Sequence, residues 1–466
     1  MYQKEYHIHF VGIGGIGMSG IAEILLKLGY RVSGSDARKT DITNRLESLG
    51  CTVYEGHSAE QIEGANVVVT STAIKKENPE VQAAKKAYVP IIPRAEMLAE
   101  LMRLKYSIAV AGAHGKTSTT SMTASVLEKG GLDPTVVIGG VLKSVESNAM
   151  HGMGDFIVAE ADESDGSFLK FSPSIAIVTN IDREHLDYYD SLNSIKKAFV
   201  NFIARVPFYG LSILCIDSES VMDILPEIKG RYTTYGLNTR AEYQARNICF
   251  EGTTSRFSVY YLEEPLGEIT LNLPGAHNVT NCLASIAVGM ELNIPFKIIK
   301  CALETIQGVK RRLELKGEAS GVTVVDDYGH HPTEIKATLL AARESWPDKR
   351  IVAVFQPHRY TRTQALFDEF TRAFYNTDKL FILPIYPAGE SPIEGVTSES
   401  LCSKITERGH KGTLYVENHE EALALLMKEL KKDDLLLTLG AGNVLRIGEN
   451  YLLKKQGTAP GSQVST

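Results

Sequence analysis

The chain has 466 residues, room for about three domains at ~100–200 residues each. With 44% hydrophobic and 23% charged residues it has the composition of a globular protein able to bury several cores. A net charge of −7 leaves no basic footprint for nucleic acid, and no long apolar run offers a membrane span. Met1–Glu5 lacks the apolar stretch of a secretion signal and leads directly into a strand, so a cytoplasmic protein is expected. Six scattered cysteines (Cys51, Cys215, Cys249, Cys282, Cys301, Cys402) form no C-x-x-C pair and read as buried free thiols of a reducing compartment.

The first ~100 residues open with a predicted strand, Tyr6–Val11. A glycine loop, Gly12-Ile13-Gly14-Gly15-Ile16-Gly17-Met18-Ser19-Gly20, leads into a helix that runs to Leu28 and is closed by Gly29. A second strand, Tyr30–Gly34, ends at Ser35-Asp36. G-x-G-x-x-G between strand and helix, with an acid closing the next strand, is the dinucleotide fingerprint. It makes Gly12, Gly14, Gly15, Gly17 and Asp36 candidate nucleotide ligands. Alone, the motif favours a nicotinamide dinucleotide. Nothing downstream resembles a dehydrogenase, however, and a second phosphate loop follows, so two nucleotides are expected. Val67–Thr70 is a further strand, Pro90–Pro93 enters a linker, and Leu98–Leu104 is a helix leading into the next domain.

That second loop is Val110-Ala111-Gly112-Ala113-His114-Gly115-Lys116-Thr117-Ser118. The strand Ser107–Ala111 precedes it and the helix Thr119–Lys129 follows. A glycine turn there exposes backbone N–H groups to phosphate, a lysine can reach the outer phosphates, and a Thr or Ser hydroxyl can ligate Mg²⁺. Val110 replaces the first glycine of the strict phosphate-loop pattern, leaving Gly112-x-x-Gly115-Lys116-Thr117. Two more strands, Asp155–Ala159 ending at Glu160 and Ile175–Thr179 ending at Asn180, would bring those residues to the same sheet edge as the loop. Gln244–Leu271 reads as a β meander, and Pro274–Asn281 precedes a helix, Cys282–Met290.

The last region opens on the basic Lys310-Arg311-Arg312. Its strands are Val322–Val325, Ile351–Phe355, Leu380–Leu383 and Leu435–Leu439, separated by helical stretches, which makes a third parallel α/β unit. The polar tail, Gln456–Thr466, reads as disordered.

Three groupings carry chemistry. Glu160-Ala161-Asp162-Glu163-Ser164-Asp165 could be a solvated acidic loop, but beside a phosphate loop it suits Mg²⁺, with Glu160 the favoured ligand. His185, after the strand ending at Asn180, lies on the side where phosphates are expected, which suits a second metal or a phosphate. Tyr328, His330, His331, His358 and Arg359 follow two strands of the last region. An arginine there suits a carboxylate-bearing substrate, which it grips through two parallel hydrogen bonds.

Together these stretches resemble the ATP-dependent Mur ligase family, in its alanine-adding branch. The resemblance runs from Gly12 to about Arg446, on GIGGIGMSG (12–20), GAHGKTS (112–118), EADESD (160–165), TNIDREHLD (179–187), PGAHNVTN (274–281), KRRLE (310–314), DDYGHHPTE (326–334) and FQPHRYTRT (355–363). Ala113 stands where the family commonly has Thr, and Asn443 where Asp is common; neither supplies an indispensable group. The metal-holding carbamylated lysine of several sister ligases is not placed here, and this branch is not expected to need it.

The resemblance implies an α/β fold of three domains, each around a mainly parallel sheet. A Rossmann-like domain (1–104) would bind a UDP-sugar through Gly12, Gly14, Gly15, Gly17 and Asp36. A central ATPase domain of phosphate-loop type (105–310) and a Rossmann-like C-terminal domain (311–455) would follow. ATP would be held by Gly112, Ala113, His114, Gly115, Lys116, Thr117, Ser118, His277, Asn278, Asn281, Arg312 and Asp326. Lys116, Glu160 and His185 would be catalytic, with Thr117, Glu160 and His185 holding Mg²⁺. Tyr328, His330, His358 and Arg359 would form the amino-acid site. The implied reaction joins L-alanine to the lactyl carboxylate of UDP-N-acetylmuramate through an acyl phosphate. The implied partners are small-molecule substrates, with neither nucleic acid nor membrane, in a monomer or homodimer. The alternatives are a ligase recycling a tripeptide onto the same UDP-sugar, against which FQPHRYTRT argues, a nicotinamide oxidoreductase, and a non-catalytic nucleotide sensor.

Overall fold

A computed structural model describes residues 5–71, 73–142, 147–184, 188–237 and 240–456. Three sheets organise them. The first has β1 (His7–Val11), β2 (Arg31–Asp36), β3 (Thr52–Glu55), β4 (Val67–Thr70) and β5 (Ile91–Pro93), ordered β3-β2-β1-β4-β5 with every pairing parallel. All of β1 is buried, as a central parallel strand covered on both faces must be. The chain moves outward one way from β1 and the other way from β4, so the crevice at their carboxyl ends is a topological switch point. The loop beginning at Gly12 sits there.

Pro90–Pro93 is not a linker. Ile91, Ile92 and Pro93 pair in parallel with Val68, Val69 and Thr70. Pro93 cannot donate to a ladder, and an edge strand tolerates that because one side has no partner to satisfy.

The second sheet contains β6 (Tyr106–Ala111), β7 (Thr135–Leu142), β8 (Ser147–Met150), β9 (Phe156–Glu160), β10 (Ile175–Val178), β11 (Leu211–Cys215), β12 (Tyr232–Gly236), β13 (Tyr243–Glu251), β14 (Thr254–Tyr261) and β15 (Glu264–Leu271). Its order is β15-β14-β13-β12-β11-β10-β6-β9-β7-β8. β6 lies between β10 and β9, parallel to both, with Val110 beside Glu160 and Ala111 beside Val178. Those registers bring three strand ends to one edge.

The third sheet contains β16 (Glu314–Ala319), β17 (Val322–Asp327), β18 (Arg350–Phe355), β19 (Lys379–Ile382), β20 (Thr413–Tyr415) and β21 (Asp434–Leu439), ordered β16-β17-β21-β18-β19-β20. It is parallel apart from the antiparallel edge pair β16–β17.

By internal packing the chain forms two compact units. One is 1–246, 258–269 and 280–309; the other is 247–257, 270–279 and 310–466. The cysteines divide by position. Cys51, Cys215 and Cys282 are buried, Cys402 is half-buried, and Cys249 and Cys301 are exposed, contrary to the expectation that all were buried. Cys249 lies on the outward-alternating end of β13, and Cys301 on the open face of the helix Phe296–Glu304. No helix among the described residues is long and apolar enough to cross a membrane.

Candidate functional site

In the first unit, the loop after β6 turns through Gly112 (φ +136°) and Gly115 (φ +83°), left-handed conformations that favour glycine. Space demands the same. A Cβ on Gly112 would lie 2.1 Å from Thr179 Oγ1, and one on Gly115 would lie 2.7 Å from Asn281 Oδ1. The helix after the loop, Lys116–Lys129, begins at Lys116, three residues earlier than its apolar pattern predicts. The end of β10 clamps the loop. Asn180 accepts from the His114 N–H (2.8 Å), while Thr179 Oγ1 (2.6 Å) and Asn180 Nδ2 (2.9 Å) donate to the His114 carbonyl. His114 Nε2 lies 3.0 Å from Asp182.

Lys116 turns back over the loop. Its ammonium donates to the Gly112 carbonyl at 2.5 Å and to Glu163 at 2.9 and 3.0 Å. Burial opposes its charge, but Glu163, with Glu184 and Asp162 behind it, outweighs burial and pushes the pKa up to about 12. The lysine is therefore a fixed cation. The Tyr189 hydroxyl donates to the Glu163 carbonyl at 2.8 Å, steadying the acidic loop.

Glu160 ends β9, and its Oε1 accepts from the Gly139 N–H at 2.8 Å. Thr117 is buried in the first turn of the helix after the loop. A carboxylate and a hydroxyl at one sheet edge are the hard oxygen donors that Mg²⁺ prefers. These residues fit such an ion. His185 lies outside the described residues, as does 457–466 of the tail.

The Gly12 loop spends most of its own amides. Gly12 and Ile13 donate to the Ser35 carbonyl (2.8 and 2.9 Å), Gly14 to Asp36 Oδ2 (2.9 Å) and Gly15 to the Gly12 carbonyl (3.2 Å). Asp36 thus braces the loop. Behind it lies a buried polar chain. His7 Nε2 meets Ser33 Oγ (2.7 Å), Ser33 Oγ meets His9 Nδ1 (2.7 Å), and His9 Nε2 meets Glu80 (2.6 Å). Glu80 also takes His57 Nδ1 (2.6 Å) and the Ser35 hydroxyl (2.8 Å). Burial opposes its charge, yet these donors hold its pKa below the usual value.

In the second unit, Tyr328 and His330 follow β17, and His358 and Arg359 follow β18. The ring centroids of Tyr328 and His330 are 5.3 Å apart, and those of His330 and His358 are 5.8 Å apart. Tyr386 stacks on His358 at 5.6 Å and 7°, and the two backbones form a bridge. The guanidinium groups of Arg311 and Arg312 lie 5.0 and 5.4 Å from the Tyr328 ring centre. Burial, with Arg362 and His358 nearby, lowers His330 to about 3. Burial, with Arg362 and Arg359, lowers His358 to about 4. Both imidazoles are neutral at pH 7. Arg359 adopts φ +70° and its Nε is 4.0 Å from Glu390. Strain of that kind, in a non-glycine residue, gathers at functional sites.

Asp326 is buried, accepting from Arg311 (3.1 Å) and Thr438 (2.6 Å). Its neighbour Asp327 accepts from the N–H groups of Leu313 and Gly329, both at 2.7 Å. Arg312 faces Glu334 at 3.5 Å. Loss of hydration, with Arg312 nearby, lowers the half-buried His277 to about 4. Asn278 Nδ2 donates to the Pro274 carbonyl at 2.7 Å.

Comparison with known proteins decides the family. The description "Mur ligase family, catalytic domain" matches residues 7–106, "Mur ligase middle domain" matches 110–289, and "Mur ligase, glutamate ligase domain" matches 311–442. A UDP-N-acetylmuramate–L-alanine ligase of Desulfatibacillum aliphaticivorans is 62% identical over 455 residues, covering 98% of this chain and 100% of its own. The chain belongs to the Mur ligase family. Among solved structures, the UDP-N-acetylmuramate-alanine ligase of Thermotoga maritima matches with a TM-score of 0.81 at 29% identity, over 97% of this chain and 99% of its own. A murein peptide ligase of Psychrobacter arcticus shares the fold, with a TM-score of 0.69 at 24% identity over 99% and 100% of the two chains.

Within this Mur ligase the first unit gathers Gly112, Ala113, His114, Gly115, Lys116, Thr117, Ser118, Glu160 and Asn281 around one loop. The second gathers Tyr328, His330 and His358, with Arg359 next in the chain. Sequence reasoning missed four organising residues. Glu163 stood in the acidic run but was passed over for Glu160. Glu80, Asp327 and Tyr386 carried no local signal, since the partners of Glu80 and Tyr386 lie tens of residues away and Asp327 is one of two adjacent acids.

Proposed function

We propose that this chain joins L-alanine to UDP-N-acetylmuramate at the expense of ATP, in the assembly of peptidoglycan precursors. The reading rests on one observation. A chain 62% identical, end to end, to a ligase of that name has its phosphate loop, Lys116 and Glu160 at one sheet edge.

A carboxylate is a poor acyl donor. In the proposed reaction the γ-phosphoryl group of ATP passes to the lactyl carboxylate oxygen, giving an acyl phosphate and ADP. The amine of alanine attacks the acyl carbon, loses a proton, and expels phosphate. Negative charge builds in both steps, so preset cations and dipoles carry catalysis. Lys116, already charged and fixed over the loop, faces the β/γ oxygens. Thr117 and Glu160 would hold Mg²⁺, which would supply charge neutralisation of the phosphates, and His185 would complete the set. His277, Asn278, Asn281, Arg312 and Asp326 serve the nucleotide. Tyr328, His330, His358 and Arg359 receive alanine, the arginine taking its carboxylate so that the amine stays free.

The Gly12 loop, with Gly14, Gly15, Gly17 and Asp36, holds the UDP-sugar. Its bracing acid argues against the nicotinamide alternative: Asp36 accepts from Gly14 within the loop, whereas a dinucleotide reader turns that acid to a ribose. Domains at 1–104, 105–310 and 311–455, a cytoplasmic setting and a monomer or homodimer belong to the same reading.

The test is ADP release with ATP, Mg²⁺ and UDP-N-acetylmuramate, supplying each amino acid or a cell-wall tripeptide in turn. Release with L-alanine supports the proposal. Release with the tripeptide alone assigns the chain to the recycling reaction instead.

A further inference from the structure

The proposed reaction makes no use of the buried polar chain behind the Gly12 loop. Its centre is Glu80, fully buried in the first turn of the helix Pro79–Lys86. The carboxylate accepts from His9 Nε2 and His57 Nδ1, each at 2.6 Å, and from the Ser35 hydroxyl at 2.8 Å. From His9 the chain continues through Ser33 to His7, whose buried Nδ1 meets no hydrogen-bond partner among the described residues. His57 is a quarter exposed, which makes it the member of the chain open to solvent.

With its three imidazoles neutral, this group carries the single negative charge of Glu80; one added proton makes it neutral overall. Imidazole is the side chain whose charge ordinarily changes between about pH 5 and 8. The change falls next to the loop, because Ser35 belongs to both. Its hydroxyl binds Glu80, and its carbonyl takes the N–H groups of Gly12 and Ile13 at 2.8 and 2.9 Å. On the neighbouring elements, Asp36 closes β2, Glu55 closes β3 beside it, and Glu60 lies in the turn Ala59–Ile62 after His57. The Tyr54 ring lies 6.4 Å from that of His9, and Arg31 acts on His7 at the far end of the chain. Carboxylates, tyrosine and arginine ordinarily keep their charge between pH 6 and 8. A proton taken up there in that range belongs to an imidazole, and His57 is the one in reach of solvent.

We infer that His57, held by Glu80, is a proton-linked positioning residue: the chain binds the anionic UDP-sugar more tightly once the Glu80 group has taken up a proton through His57. This rests on the reading that the Gly12 loop binds the UDP-sugar. Cancelling a negative charge behind the loop favours a negative ligand in front of it. By linkage, the bound ligand favours the proton to the same extent.

The test is calorimetry of UDP-N-acetylmuramate binding at pH 6, 7 and 8, in buffers of different ionisation enthalpy, which counts the protons taken up per ligand. The diphosphate of this ligand is esterified at both ends, so it has no proton of its own that titrates in that range. Wild type should take up a fraction of a proton at pH 7 and bind about 5-fold or more tightly at pH 6 than at pH 8. His57→Asn sets an amide nitrogen where Nδ1 stands, keeping a donor for Glu80 that cannot become charged. It should lose the proton uptake and bind with nearly one affinity at all three pH values. His57→Gln should do the same, and unaltered melting of the free variants excludes misfolding. Absence of proton uptake by the wild type overturns the inference. Uptake that persists in the folded variants also overturns it, even where their affinity falls, because His57 would then be a purely structural contact. Failure of the wild type to bind the ligand at any pH overturns instead the assignment of the loop.

Discussion

The ammonium of Lys116 and the carboxylate of Glu163 meet at 2.9 Å across 47 residues of chain, directly over the phosphate loop. The lysine is thereby kept charged and pointed at the loop before any nucleotide arrives. Its rotamer is set in advance, and preorganisation of this kind is what electrostatic catalysis requires.

Lys116→Ala should accordingly lose about 10³-fold or more in kcat. ADP release at saturating substrates measures it, and near-wild-type turnover would remove Lys116 from the reaction.

Glu160→Ala should raise the Mg²⁺ concentration needed for half-maximal rate, and Thr117→Val should do so more weakly, since a carboxylate is the stronger Mg²⁺ ligand. A Mg²⁺ titration of initial rates checks both. If neither variant shifts the midpoint, the metal is held elsewhere.

Arg359→Lys should raise KM for L-alanine by roughly 10- to 150-fold, the worth of a charge-assisted two-point contact. KM for ATP and for the UDP-sugar should hardly move. A rise in KM for ATP with none for alanine would assign Arg359 to the nucleotide.

Glu80 collects His9, His57 and Ser35, and Ser35 in turn carries the Gly12 turn. Glu80→Ala would leave buried donors without their acceptor and should cost about 3 kcal/mol of stability. Because its pKa is depressed in the fold, its contribution is present above about pH 4.5 and is lost as pH falls below it. Urea unfolding at pH 7 measures the loss; a wild-type midpoint would show that the chain is slack.

His277 and His358 at about 4 and His330 at about 3 lie below the unfolded value near 6.5. Protons then favour the unfolded chain as pH falls, so stability is present above pH 6.5 and declines toward pH 4, by up to ~1.4 kcal/mol per pH unit for each group. Asp327, raised to about 6 by burial, acts in the opposite sense, as do Asp326 and Glu344, also raised by burial, but His7, His151 and His419 are lowered by burial as well and add to the decline. The melting temperature should fall between pH 6.5 and 4, and His330→Gln should flatten that slope. An unchanged slope would mean that His330 takes up its proton as readily in the fold as in the unfolded chain.

Sequence by itself determined the two glycine loops, the strands before them and the residues at the strand ends, because spacing along the chain sets local geometry. A strand, a glycine turn and a helix place Gly112, Lys116 and Thr117 together whatever the rest does. The order of markers from Gly12 to Arg446 likewise identified the family. Tertiary structure alone decided which groups face each other across tens of residues. Sheet order brought Thr179 and Asn180 onto His114, turned Asp36 to Gly14, made an edge strand of Ile91–Pro93 and laid Arg94 on Gly17. Such pairings depend on which strands become neighbours, and strand neighbours are chosen by burial over the whole sheet, which leaves no mark in the residues on either side of any one loop.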